Sequence, residues 1–198
     1  IDKYGKDLKS DDKIFRDFTE KEIFANIENT LESIGIKFDV FTKEGTFYKN
    51  GDIDNVLKSL KDKKLSYEKD GAVWFKTTAL GKEEDKVLVK STGEPTYRLP
   101  DIAYHIDKVK RNFNLLVDVF GADHIDTYPD VMLALEALDY KTSHIKIVIH
   151  QFVTLKKDGE IVKMSTRKAN FVTLDELIQK LSSDIIRYFF IMRGANSH

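Results

Sequence analysis

Apolar residues recur at helical spacing over residues 13–34, where Ile14, Phe15, Phe18, Ile23, Phe24, Ile27, Leu31 and Ile34 mostly stand three or four apart. The recurrence slips near Phe18-Thr19, and a threonine can cap a new helix. The pattern therefore predicts one or two amphipathic helices with a break at that point. After Gly35 the alternation Ile36, Phe38, Val40 predicts a strand, and Asp52 ahead of Ile53, Val56, Leu57 and Leu60 predicts a capped helix. Residues 65–99 change character. Segments 65–67, 72–76, 87–90 and 96–99 read as short extended pieces separated by Lys69-Asp70-Gly71, a charged stretch at 81–85 and Ser91-Thr92-Gly93-Glu94-Pro95, the signature of a hairpin-rich sheet edge.

From Pro100 onward helical and apolar extended patterns alternate: helix 101–112, strand 115–120, helix 129–139, strand 145–153. Short buried strands separated by amphipathic helices are what a right-handed parallel βαβ unit requires, so this region predicts half of a doubly wound α/β sheet. Asp158-Gly159 within residues 154–162 predicts a hairpin, and a polar loop follows. Thr173-Leu174-Asp175-Glu176 is a capping-box sequence opening a helix to about Leu181. Ser183 is placed to cap a last helix carrying Ile185, Ile186, Phe189 and Phe190. No internal repeat or low-complexity linker interrupts the chain.

Composition narrows the function classes. The 198 residues are 41% hydrophobic and 33% charged with only 10 glycines and 3 prolines, which excludes a disordered or fibrous chain and allows one large domain or two small ones. There is no cysteine, so disulfides, thiolate zinc sites and thiol nucleophiles are excluded, and a cytoplasmic location is expected. Lys and Arg total 32 against 33 Asp and Glu; a net charge of −1 removes any bulk attraction to nucleic acid but not a local basic patch. No apolar run approaches the ~20 residues that cross a bilayer, so no membrane partner is expected. A first residue that is Ile and not Met suggests a fragment or a processed chain.

Three segments could carry chemistry. Lys163-Met164-Ser165-Thr166-Arg167 puts lysine, hydroxyl and arginine in one loop. Spacing leaves it either an ordinary charged surface loop or a clamp for a polyphosphate, whose spread charge needs both point charges and directed donors. Thr96 to Lys108 runs from an extended segment into a helix, where Asp101 is either a residue favoured by the helix dipole or a ligand carboxylate, and Tyr97 either core or pocket wall. Gly121-Ala122-Asp123-His124 follows an apolar strand and is either a tight turn or a nucleotide site of the kind found beyond strand ends. His105, His124, His144 and His150 show no metal-ligand spacing, and no metal site is expected. Neither a Gly-x-x-x-x-Gly-Lys loop nor a Gly-x-Ser-x-Gly elbow occurs.

Residues Lys163 to Asn170 resemble the Lys-Met-Ser-Lys-Ser loop of class I aminoacyl-tRNA synthetases. With Phe171-Val172-Thr173-Leu174 the segment is most similar to the arginyl-tRNA synthetase version. Blocks from Tyr67 to Trp74, Val87 to Ser91, Asp101 to Lys108, Gly121 to His124 and Arg187 to Arg193 agree, and the resemblance runs from about Ile36 to the carboxyl end. It implies the second half of a Rossmann-like nucleotide-binding fold at 67–162, an inserted α+β connective region at 1–66, and at 163–198 the loop and the first helices toward an anticodon-binding domain.

The same resemblance implies ATP-dependent attachment of L-arginine to tRNA(Arg), with Mg²⁺ accompanying ATP. Tyr97 and Asp101 would meet the arginine side chain; a carboxylate matches the planar fork of a guanidinium and discriminates against lysine. Gly121, Asp123 and His124 would lie at the adenosine, Gln151 and Val153 beside the adenine, and Lys163, Ser165 and Arg167 at the triphosphate. Lys61-Asp62-Lys63-Lys64 reads as a solvated helix end and not as a tRNA contact. Two departures stand out: Thr166 replaces the second lysine of the loop, and no His-x-Gly-His-type element surrounds any histidine. The expectation is an internal segment that does not charge tRNA alone, from a parent expected to be monomeric. A non-catalytic tRNA-binding or assembly module derived from a synthetase, and another nucleotidyl-transfer enzyme of the superfamily, are the alternatives.

Overall fold

A computed structural model describes residues 13–151, 155–157, 160–162, 172–192 and 194, with side chains for all but 155–157 and 160–162. The elements run α1 (Lys13–Ser33), α2 (Glu44–Lys49), α3 (Asp52–Asp62), β1 (Ser66–Lys69), β2 (Ala72–Phe75), β3 (Lys86–Val89) and α4 (Arg98–Lys110). They continue as β4 (Leu116–Gly121), α5 (Tyr128–Ala137), β5 (Ile145–His150), β6 (Leu155–Lys157), β7 (Glu160–Val162), α6 (Leu174–Lys180) and α7 (Ser183–Ile191). The described residues fall into two compact units, one drawn from residues up to 41 and from 154 to 194, the other from 42–153. None of the described helices is long and apolar enough to cross a membrane.

In the first unit α1 runs unbroken through Phe18-Thr19, so the expected break is absent. At ~3.6 residues per turn, a continuous helix sets Ile14, Phe15 and Phe18 about half a turn out of phase with Ile23, Phe24 and Ile27. The helix therefore has two short apolar stripes on different sides and buries none of its residues. It ends in a Schellman turn: Gly35 takes φ +74° and donates to Glu32 O, while Ile36 donates to Leu31 O. Arg187 of α7 donates to the Ile34 carbonyl at 2.6 Å, placing a cation on the helix's orphan acceptors. The strand expected over Ile36, Phe38 and Val40 does not form; among the described residues no strand pairs with this segment, and Phe41 packs on Phe38 and Phe24 at ring distances of 5.4 and 5.9 Å. The hairpin is present, with β6 and β7 antiparallel from Leu155↔Val162 to Lys157↔Glu160; Asp158 and Gly159 lie outside the described residues. Thr173 and Glu176 close the capping box of α6, whereas α7 is capped by Ser182 and not by Ser183.

The second unit holds the larger core. β1, β2 and β3 form an antiparallel sheet in that order, and the β1–β2 turn has Asp70 at φ 52° and Gly71 at φ 74°, the two positive values of a type I′ hairpin. The helix expected from Asp52 is α3, but Gly51 is its N-cap and Asp52 sits in the first turn, where its charge complements the dipole. The extended reading of 96–99 fails beyond Thr96. Pro95 makes one bridge to Val89 and α4 begins at Arg98, with Pro100 in the first turn, where no helical N–H is needed. Phe47, Val56 and Leu60 from α2 and α3 meet Phe75 and Leu88 of the sheet, Leu99 and Ile102 of α4, and Leu135 of α5 in one core.

β4, α5 and β5 form the expected βαβ unit, its strands parallel from Leu116↔Ile145 to Gly121↔His150; β5 ends at His150, and residues 152–153 of the expected strand lie outside the described residues. Leu116 and Asp118 on β4 are buried, while Val117 and Val119 on the opposite face are 51% and 65% exposed. Val148 on β5 shares that exposure.

Phe75 is fully buried, so Phe75→Ala should lower the stability of this unit by about 3–5 kcal/mol, read from the urea midpoint. Thr173→Ala, which removes only a helix cap, should cost about 1 kcal/mol.

Candidate active site

The start of α4 is fixed by the sheet before it. Thr96 donates its N–H to Leu88 O and its hydroxyl to Val87 O, both at 2.8 Å, so the chain leaves the sheet at a set point and turns into the helix. Tyr97 is the N-cap residue and is 86% exposed. Asp101 lies one turn further and donates its N–H to Tyr97 O at 3.2 Å, so both side chains leave the same side of the helix start. Arg98 is held by buried Asp130, its Nε donating at 2.8 Å with Lys82 Nζ 3.9 Å from the same carboxylate, which joins the first turn of α4 to α5.

Asp101 is half-buried, and its carboxylate has no hydrogen-bond or ion-pair partner among the described residues. Burial pushes its pKa above the ordinary carboxylate value. Positive charge at His105, His124 and Lys108 works against that rise, and Glu44 adds to it. A half-buried carboxylate without a donor carries a desolvation cost that either a proton or a cation relieves.

Beyond the β4 terminus the chain makes a 3-10 turn, Ala122–His124, and His124 stacks on Phe120 with centroids 5.0 Å apart and planes 17° from parallel. A Cβ on Gly121 would stand 2.6 Å from Asp123 Oδ1, so the Asp123 carboxylate folds over a bare backbone position. Gly121 is level with His150 in the parallel ladder, and His150 Nδ1 donates to the carbonyl of half-buried Gln151 at 2.9 Å. Gly121, Asp123, His124 and Gln151 therefore gather at the carboxyl ends of adjacent parallel strands, the place where ligands bind in open α/β sheets. Lys163, Ser165, Arg167 and Val153 lie outside the described residues.

Sequence weighed His105 only as a metal ligand and did not show its pairing with Asp118 and Lys108. His105 and Asp118 are buried and face each other, His105 Nε2 lying 3.1 Å from Asp118 Oδ2. Lys108 donates to the other oxygen of Asp118, and its Nζ is 3.2 Å from His105 Nε2. Asp118 has its pKa lowered: burial pushes it up, but the bonds from His105 and Lys108 and their charges outweigh burial. The available signal was one acid inside the apolar run Leu116-Val117-Asp118-Val119-Phe120.

The model of the class I (R) tRNA synthetase catalytic domain matches residues 2–186. The chain belongs to this family. It is 56% identical over 199 residues to an arginine–tRNA ligase of Desulfotalea psychrophila, covering 100% of this chain and 36% of the relative. A Salinibacter ruber arginine–tRNA ligase is 50% identical, with 100% and 35% covered. A Campylobacter jejuni crystal structure described as an arginyl-tRNA synthetase superposes with a TM-score of 0.85 at 32% identity, covering 100% of this chain and 43% of that one. The chain thus spans about a third of the length of the curated relatives it matches. The class I (R) synthetase family is the one its motifs resemble, and the α/β class is that of the family's catalytic domain.

The raised pKa of Asp101 gives a pH signature. A group with a raised folded pKa favours the fold below its unfolded pKa of about 3.9, and that contribution is lost as pH rises through the folded value. Asp101→Asn should therefore melt at a higher temperature than the parent chain at pH 7, and the difference should vanish below about pH 4 in thermal scans.

Proposed function

We propose that this chain is part of an arginyl-tRNA synthetase that activates L-arginine with ATP and passes it to tRNA(Arg), working in the cytoplasm. The observation that carries the reading is the Asp101 carboxylate, half-buried and unpaired among the described residues, one turn from exposed Tyr97 at the start of α4. Such a group suits paired hydrogen bonds from a guanidinium, and Tyr97 supplies a wall and a hydroxyl. In activation the arginine carboxylate attacks the α-phosphorus of ATP, the bond to the β-phosphate breaks, and pyrophosphate leaves. The arginyl group then passes from the adenylate to a terminal ribose hydroxyl of tRNA, releasing AMP.

The protein's share is alignment and charge stabilisation. Gly121, Asp123 and His124 hold the adenosine, with Gln151 and Val153 beside the base. Lys163, Ser165 and Arg167 stabilise the triphosphate as pyrophosphate charge develops. Mg²⁺ enters as the companion of ATP, whose phosphates supply its ligands. Residues 1–66 form the connective region of this reading, 67–162 the second half of the nucleotide fold, and 163–198 the loop and helices that lead on. α2 and α3, which fall in the connective region, brace α4 through the shared core.

In the full-length parent, Asp101→Ala should raise the KM for arginine in pyrophosphate exchange by 100-fold or more, about 3 kcal/mol, with the KM for ATP little changed. An unchanged arginine KM would remove the reading. The 198-residue chain alone should give no measurable arginylation of tRNA.

A further inference from the structure

Asp101 is carried by a helix, and the helix must itself be held. Asp101, His105 and Lys108 fall at intervals of four and three on α4, so they share one face. That face is turned to β4, whose Asp118 receives both His105 and Lys108. The other ring nitrogen of His105 reaches back along the helix: Nδ1 lies 2.7 Å from the backbone carbonyl of Asp101 and donates to it. His105 is 3% exposed, and its ring lies 6.3 Å from that of Phe120, the residue on which His124 stacks.

A continuous line of contacts therefore joins the unpaired carboxylate to the turn after β4. It runs from Asp101 through its own carbonyl to His105, from His105 to Asp118 and Phe120 on the strand, and from Phe120 to His124. Every link is a hydrogen bond, an ion pair or a ring contact, and the two central polar groups are shielded from water. A helix start bonded this way cannot slide along or roll over β4 without breaking a buried bond that water cannot replace.

We infer that His105, seated on Asp118, is a positioning residue that holds the Asp101 carboxylate at a fixed place relative to the β4 terminus. This rests on the reading of Asp101 as the arginine acceptor. The reacting carboxylate of arginine is aligned only if its guanidinium end is anchored at the right distance from the nucleotide site. His105 touches neither substrate; it sets where Asp101 stands.

The test uses the full-length parent and the variants His105→Asn, Asp118→Asn, Asp101→Ala and the double variant Asp101→Ala with His105→Asn. Pyrophosphate exchange gives KM for arginine and for ATP, and a KM is read from whatever fraction of enzyme is folded. His105→Asn and Asp118→Asn should each raise the arginine KM on the order of 10-fold or more, with the ATP KM within about twofold of the parent. In the Asp101→Ala background, His105→Asn should add no further increase, because its effect passes through Asp101. Two results would overturn the inference: an arginine KM unchanged in both single variants, with only the amount of active enzyme reduced, or a full additional increase in the double variant. Loss of the reading itself would look different, since Asp101→Ala alone would then leave the arginine KM unmoved.

Discussion

A carboxylate in the middle of an apolar strand is the constraint around which the larger unit is built. Asp118 on β4 is removed from water, and an isolated charge there would cost far more than the strand's packing returns. It is tolerable only because α4 delivers the His105 ring and the Lys108 ammonium to its two oxygens. That requirement fixes the rotation of α4 about its axis and its height along β4. Once those are set, the apolar face of α4 with Leu99 and Ile102 falls into the core shared by α2, α3, α5 and the antiparallel sheet.

Asp101 and Asp118 show how one helix treats two acids oppositely. Asp118 is paired, and its pKa is held down despite burial. Asp101 is half-buried without a partner among the described residues, and burial drives its pKa up. The first is a joint and the second an unmatched charge, and on the proposed reading the second serves a cationic amino acid only if the first keeps it in place. The cost of an unmatched carboxylate falls on the free protein, and on that reading part of the cation's binding energy is the recovery of a penalty already present.

Much of this architecture was legible because it depends on local pattern. The βαβ alternation after Pro100, the Asp70-Gly71 hairpin and the Thr173–Glu176 capping box are set by residues adjacent in sequence. What failed depended on neighbours that sequence does not display. The alternation Ile36, Phe38, Val40 has the period of a strand but no strand beside it among the described residues, and the phase slip in α1 is absorbed by a helix that buries neither stripe. α2 has only six residues, one of them Gly45, and left no periodic signal. Tyr97, Asp101, Gly121 and Asp123 were found through family motifs and not through spacing, which left each of them an ordinary explanation. The pairing of His105 with Asp118 crosses the α4–β4 connection and exists only once the two elements pack.

The bare outer face of the β4–β5 pair bears on how the isolated chain behaves in solution. Parallel strands ordinarily have both faces covered, yet Val117, Val119 and Val148 stand open here. With a net charge of −1, two such molecules meet almost no long-range repulsion. Among the described residues, these valines form one apolar patch where attraction between two molecules meets little opposing charge.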